Sequence, residues 1–290
     1  MSEKFTLFTD STSDLPQEMV DNLNINMINL TYHIGERSFV NYVDYREQTI
    51  NEFYDEVRAG ALPTTSQVNP EDYLSIITPH LEKGEDVLIL SFSSKLSGTY
   101  NSGRIAVEEL KEKFPNNKIE IIDTKSASLG EGFLVRLAAL EKNKGKSIEE
   151  VKEFVENTIP KVAHWFTVDD ISHLRRGGRV SAFSSVVARA LNIKPIMHCD
   201  ENGALVPRKK AIGRRKAIRE LFDKMKQAAV ENQEYVMIGH GDDLDSANQL
   251  AELIKAEYPN VEILIHTIGA VIGAHTGQGV LALFFLANER

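Results

Sequence analysis

Through the first 160 residues, short runs of β-branched and aromatic residues alternate with stretches whose apolar positions recur every three or four residues. The run "KFTLFT" (4–9) passes through "DSTSDLP" into the helical pattern "QEMVDNLN", with Asp14 expected as its cap and Pro16 as its opener; "INMINLTYHI" (25–34) reads as the next extended segment. "NPEDYLSIITPHLEKG" is a helix with Asn69 as N-cap, Pro70 at the first helical position and acids in the first turn. "DVLILSF" precedes a helix near "GTYNSGRIAVEELKEKF", and "KIEIID" precedes one at "GEGFLVRLAALEKNKGK". This alternation predicts an α/β fold, a parallel sheet wrapped by helices, with ligands expected beyond the carboxyl ends of its strands.

The polar stretch "KNKGKS" (142–147) and the helix "SIEEVKEFVENTI" lead to Pro160, where a boundary is expected between a Rossmann-like domain, 1–160, and a second domain, 161–290. The second part reads "AHWFTVD", a short helix to Gly177, an apolar helix "SAFSSVVARAL" (181–191), the hairpin-like "KPIMHCDENGALVPRK", a basic helix to about Ala228, "EYVMIGH", a further helix, "VEILIHTIG" and a glycine-spaced end. That order predicts a smaller mixed α/β domain with helices on one face.

Composition adds limits. The longest uninterrupted apolar run, Val280 to Ala287, is eight residues, far short of the ~18 that a membrane span requires. The first ten residues read as a strand and not as an export signal, so a cytoplasmic protein is expected. The single cysteine, Cys199, excludes an internal disulfide and any multi-cysteine zinc site, and is read as an inert, partly buried thiol. Of the net charge of −9, residues 1–160 carry −11 and residues 161–290 carry +2. The first half repels nucleic acid, and only the second offers a docking surface for something acidic.

Candidate chemistry concentrates in hydroxyls. "SFSSKLSGTYNSG" (91–103) places Ser91, Ser93, Ser94 and Ser97 where a strand gives way to a helix, more hydroxyls than capping needs, so they can converge on an anion. "LPTTSQVNP" repeats the theme: Thr64, Thr65 and Ser66 precede a helix already capped by Asn69, with an ST-turn as the alternative. "TDSTSDLP" (9–16) is a third such exit, and the three loops could face one crevice.

Other constellations have simpler readings. Ser97, Asp123 and His275 follow the chain order of an α/β-hydrolase triad, but Ser97 stands in "KLSGT" and not in a G-x-S-x-G elbow. His240 with Asp242, Asp243 and Asp245 suggests a metal, though an Asp near a helix start is normally a cap. "HLRRGGRVS" (173–181) is a helix end at which Gly177 or Gly178 can turn left-handed; Arg179, beyond it, is unexplained by capping. "RKKAIGRRKAIR" (208–219) is a solvated helical charge or a partner surface. Glycines 269, 273, 277 and 279 permit close backbone packing around His275.

Together "DSTSDLP", "LPTTSQ", "SFSSKLSGTYNS", "LRRGGRVS", "IKPI" and "GAHTGQG" resemble the DegV family of bacterial fatty-acid-binding proteins, over about residues 5 to 285. Some members of that family are the acyl-binding subunit (the FakB type) of a two-component fatty acid kinase. The resemblance implies a two-domain α/β protein that is not itself an enzyme, needs no cofactor and buries a long-chain fatty acid between its domains. It implies that Thr65 and Ser97 hold the carboxylate, with Thr64, Ser93 and Ser94 as near alternatives and His275 and Arg179 in the same polar network. It also implies a kinase partner, for which Lys210, Arg214 and Arg215 are the docking candidates. Two positions depart from the family pattern: the run Lys210-Ala211-Ile212-Gly213 lacks a basic residue and a threonine, and Gln278 stands where proline is common. A serine hydrolase using Ser97 and His275, and a regulatory module for an anionic metabolite, are the competing readings.

Overall fold

A computed structural model of the chain describes residues 5–180 and 192–288. Four strands, β1 (Phe5–Asp10), β2 (Ile25–Ile28), β6 (Asp86–Ser91) and β7 (Ile119–Asp123), form an all-parallel sheet in the order β2-β1-β6-β7. The central strands β1 and β6 are buried almost throughout, as a parallel sheet covered on both faces requires. A second, three-stranded antiparallel sheet takes the order β4-β3-β5, from β3 (Thr31–Ile34), β4 (Arg37–Val40) and β5 (Thr64–Ser66). The extended segment 25–34 is thus two strands in two sheets, because the chain turns at Asn29–Leu30 and starts a new ladder.

The helices of this half are α1 (Gln17–Asn22), α2 (Ile50–Arg58), α3 (Pro70–Leu81), α4 (Thr99–Lys113), α5 (Leu129–Asn143) and α6 (Ile148–Thr158). Helix α3 begins as its sequence dictates: Asn69 accepts from the Asp72 amide, Asp72 reaches back, and Pro70 opens the helix. Helix α2, which the sequence pattern above does not include, opens on a capping box of Thr49 with Glu52.

The C-terminal part is shorter in residues yet carries the larger sheet. Its six strands run β10-β9-β8-β13-β11-β12, from β8 (Val162–Thr167), β9 (Ile193–Cys199), β10 (Leu205–Ile212), β11 (Tyr235–His240), β12 (Glu262–Thr267) and β13 (Leu281–Leu286), and only β11 and β12 are parallel. Helices α8 (Arg214–Ala228) and α9 (Leu244–Glu257) cover one face through Leu221, Met225, Leu250 and Ile254. These helices of the second part lie on one face, as expected, and the other face is covered from the first half of the chain. Phe133 of α5 packs there in one apolar cluster with Leu7 and Leu90 of the parallel sheet and Phe166, Met237 and Phe284 of the mixed sheet. A helix buried on nearly every side, as α5 is, has to be shared between two layers.

Short helices α7 (Ser172–Arg176) and α10 (Ala270–Thr276) complete the described fold. The basic run 208–219 is not one helix: Arg208 to Ile212 belong to β10 and the helix starts at Arg214, after Gly213 at φ 85°. The predicted helix 181–191 lies outside the described residues. Among them, no helix is long and apolar enough to cross a membrane.

Candidate functional site

Residues from both sides of Pro160 enclose a cavity of about 390 Å³. Its walls are mainly apolar, with Phe92, Leu96, Phe166, Leu174, Val271 and Phe284 among them, and its polar lining includes Thr65, Ser97, Arg179 and His275. Four of the residues that the resemblance implies therefore line one cavity, although they come from β5, the loop after β6, the segment after α7 and α10.

Local structure explains each placement. The "TTSQ" segment is a strand and not a loop; Thr65 pairs with Tyr32 and Thr64 with His33. Strand alternation then separates the two threonines: Thr65 is half-buried and lines the cavity, while Thr64 is exposed and does not. Thr65 Oγ1 lies 2.8 Å from His275 Nε2. Ser97 Oγ lies 2.9 Å from Thr99 Oγ1 and accepts from the Thr99 amide at 3.2 Å. The loop that holds Ser97 touches the "TTSQ" strand closely: a Cβ on Gly98 would stand 2.0 Å from the Gln67 side chain, which donates to Ser102 Oγ at 3.0 Å.

Two glycines make room for the histidine and the arginine. A Cβ on Gly177 would fall 2.2 Å from His275 Nδ1, and Gly178 takes φ +70°, so the chain turns sharply enough for Arg179 to reach back. Arg179 Nε donates to the Leu96 carbonyl at 2.9 Å, and its Nη1 donates to the Gly177 carbonyl. Burial, then the charges of Arg179 and Arg176, bring His275 down to about 4, so the ring is neutral at physiological pH. With its proton on Nε2, the ring donates to Thr65 and leaves the threonine hydroxyl proton free for an incoming acceptor.

The remaining candidates are placed elsewhere. Ser93 is buried and donates to the Gly203 carbonyl at 2.9 Å; Ser94 is exposed, with its amide on Asp123. Ser91 donates to Asp10 at 3.3 Å. Asp123 accepts from the Ser94 and Lys125 amides and does not line the cavity, so Ser97, Asp123 and His275 do not assemble as a triad. Asp243 caps α9 by accepting from the Ser246 amide, and no cluster that could hold a metal ion is found among the described residues. Arg214 is spent inside the protein: it donates to Ser246 Oγ at 2.9 Å, the Gly279 carbonyl at 2.8 Å and Asp243 at 2.6 Å. Lys210 and Arg215 are exposed. Cys199 is buried and among the residues that line the cavity, with its sulfur 3.5 Å from the Lys125 carbonyl.

The first hydroxyl-rich loop corrects the expectation of three loops at one crevice. Residues Thr9 to Asp14 are buried and none lines the cavity. Asp10 accepts from the Thr12 amide (3.1 Å), Thr12 Oγ1 (2.5 Å) and the Phe92 amide (2.8 Å); Glu131 accepts from Thr9 Oγ1 at 2.8 Å. Asp14 is not a helix cap: α1 has no side-chain cap, and the Asp14 carboxylate accepts from Ser128 Oγ at 2.5 Å and the Gly269 amide at 3.0 Å. Burial raises all three carboxyl groups, Asp14 to about 7 and Glu131 well above the usual range.

With this geometry in hand, comparison with known proteins is specific. The family model for DegV, described as an uncharacterised protein family, matches residues 4–288. A DegV domain-containing protein of Clostridium perfringens is 43% identical over 289 residues, 99% of each chain. Among solved structures, a fatty-acid-binding DegV family protein of Thermus thermophilus is 31% identical, with a TM-score of 0.87 over 98% of this chain and 99% of its own. DegV of Bacillus subtilis, a fatty acid binding protein, is 31% identical with a TM-score of 0.85 over 99% of this chain and all of its own.

Proposed function

The chain belongs to the DegV family, and from that premise we propose that it binds a long-chain fatty acid, with the carboxylate on Thr65 and Ser97 and the acyl chain in the cavity between the two halves. The observation that carries this reading is that two hydroxyls, a neutral histidine and an arginine line the same mainly apolar cavity, with Thr65 Oγ1 2.8 Å from the histidine ring. A carboxylate taken from water costs several kcal/mol unless its oxygens are satisfied, and a hydrogen bond to a charged group returns ~1.5–3 kcal/mol. The tail supplies the affinity. At ~0.8 kcal/mol per buried methylene, fourteen methylenes contribute roughly 11 kcal/mol before the costs of association. The volume is in keeping with small-molecule sites, which run from ~300 to 1,000 Å³.

Hydroxyls and a neutral imidazole take the acid directly, while the half-buried Arg179 is engaged by the Leu96 and Gly177 carbonyls, an arrangement suited to handing the acid on. In this reading the protein is a carrier and not a catalyst, and it presents the carboxylate to a separate fatty acid kinase for conversion to acyl phosphate. Arg179 and His275 steady the carboxylate or the phosphate. Lys210 and Arg215, which are exposed, face the partner; Arg214 acts inside the chain.

The test is direct. Purified protein is denatured, extracted with solvent and analysed by mass spectrometry; fatty acid at about one per chain is expected. A lipid-free extract, or a protein that turns over esters rapidly, overturns the proposal.

A further inference from the structure

One carboxylate supports the cavity without touching it. Asp14 is buried and sits in the left-handed region at φ 50°, ψ 27°. Its two hydrogen-bond partners stand at the starts of two helices from opposite halves of the chain. Ser128 precedes α5 and itself lines the cavity; Gly269 precedes α10, whose Val271, Ile272, His275 and Thr276 line it.

Both contacts are tight. Gly269 approaches so closely that a Cβ there would stand 2.6 Å from Asp14 Oδ1. Ser128 has φ 54° and ψ −145°, a combination costly for any residue with a side chain, and its hydroxyl bond to Asp14 holds it there. Tyr54 secures the same end of α10 from the other side by donating to the Ile268 carbonyl at 2.8 Å. With its first residue fixed, α10 carries His275 at a set distance, about 9 Å along the axis at ~1.5 Å per residue, to the Thr65 contact.

Building on the fatty-acid reading above, we propose that Asp14 is a positioning residue for head-group recognition. By tying the start of α10 to the start of α5, it sets where His275 meets Thr65, and with it the preference for an acid over an uncharged head group of equal chain length. A role in folding alone does not predict a change in that preference.

The test uses the full-length, delipidated protein and two probes, hexadecanoate and hexadecan-1-ol, each titrated by displacement of a fluorescent fatty acid. Asp14→Ala is expected to weaken hexadecanoate about ten-fold, the scale of one charged-group hydrogen bond, and the alcohol less than about two-fold. Asp14→Asn can accept from the Gly269 amide and donate to Ser128, so it is expected to restore the ratio to within about three-fold of wild type. An unchanged acid-to-alcohol ratio in Asp14→Ala overturns the proposal. Should that variant fail to fold, Ser128→Ala, which cuts the second tie, is expected to lower the ratio about three-fold, and no change overturns it. Wild-type protein that binds neither probe defeats the fatty-acid reading itself, an outcome separate from a normal ratio in the variants.

Discussion

The loop after β1 and the loop after β6 leave adjacent parallel strands with similar composition, and they do opposite things. In the first, every residue from Thr9 to Asp14 is buried; Thr9 and Thr12 donate to the carboxyl groups of Asp10 and Glu131, and Ser11 accepts from the Leu30 amide. The second spends Ser91 and Ser93 internally and leaves Ser97 half-buried at the cavity. The difference lies in what each loop must satisfy. Buried carboxyl groups demand donors from their surroundings, whereas a loop with no acid of its own has a hydroxyl to spare for someone else's. One loop is scaffold, the other lines the cavity and is the proposed receptor.

The largest expected effect tests the scaffold. Asp10→Ala removes the acceptor of the Phe92 and Thr12 amides, and chemical denaturation is expected to show a loss of about 2–4 kcal/mol, against less than about 1 kcal/mol for Ser97→Ala. Equal losses would erase the distinction. On the receptor side, Thr65→Ala with Ser97→Ala is expected to weaken fatty acid binding roughly 10- to 100-fold while stability moves by less than about 1 kcal/mol. Full retention of lipid in that double variant removes both residues from the site.

Asp14 of the first loop and His275, which lines the cavity with Ser97, also titrate with opposite sign. His275 falls from 6.5 to about 4 on folding, so the unfolded chain binds more protons between those values and stability is lost as pH falls through that window. Asp14 rises from 3.8 to about 7; the folded chain holds the extra proton, and stability is lost as pH rises through its window. Taking the pH from 7.5 to 5 should therefore shift wild type against His275→Gln by about 1–2 kcal/mol in the variant's favour. Wild type against Asp14→Asn should shift the other way. Shifts of one sign in both pairs would contradict the assignment.

Smaller effects sharpen the picture. Gly177→Ala drives a methyl against the His275 ring and is expected to cost roughly three- to ten-fold in fatty acid affinity, about 0.7–1.4 kcal/mol. Lys210→Glu with Arg215→Glu is expected to leave stability within about 0.5 kcal/mol and lipid content unchanged, while it reduces acyl phosphate formation with the kinase partner proposed above. Undiminished formation would reduce these two to solvated charge.

The strands, the long helices and their caps could be read locally, because hydrophobic period and capping chemistry act over a few residues: Asn69, Pro70 and Asp72 show it. The hydroxyl motifs marked Thr64, Thr65, Ser66, Ser91, Ser93, Ser94 and Ser97 together, and only the family resemblance set Thr65 and Ser97 apart. What stayed hidden depends on distant partners. Nothing near Asp14 in sequence says that its carboxylate will meet Gly269, and nothing in "RKKAIGRRKAIR" separates Arg214, bonded to Asp243 and Gly279, from the exposed Arg215. Gly98 and Gly177 carried a fainter signal, since a glycine beside a functional motif allows close approach without saying of what.

By itself, then, the sequence determined the parallel first sheet, most of its flanking helices, the family and a short list of hydroxyl-bearing candidates. Tertiary structure decided which hydroxyls remained available, which acids became struts, and that α5 would be shared by two sheets. The physical reason is range. Backbone propensity and side-chain period are set by neighbours a few positions away, while satisfaction of a buried polar group is settled only when segments more than a hundred residues apart close over it.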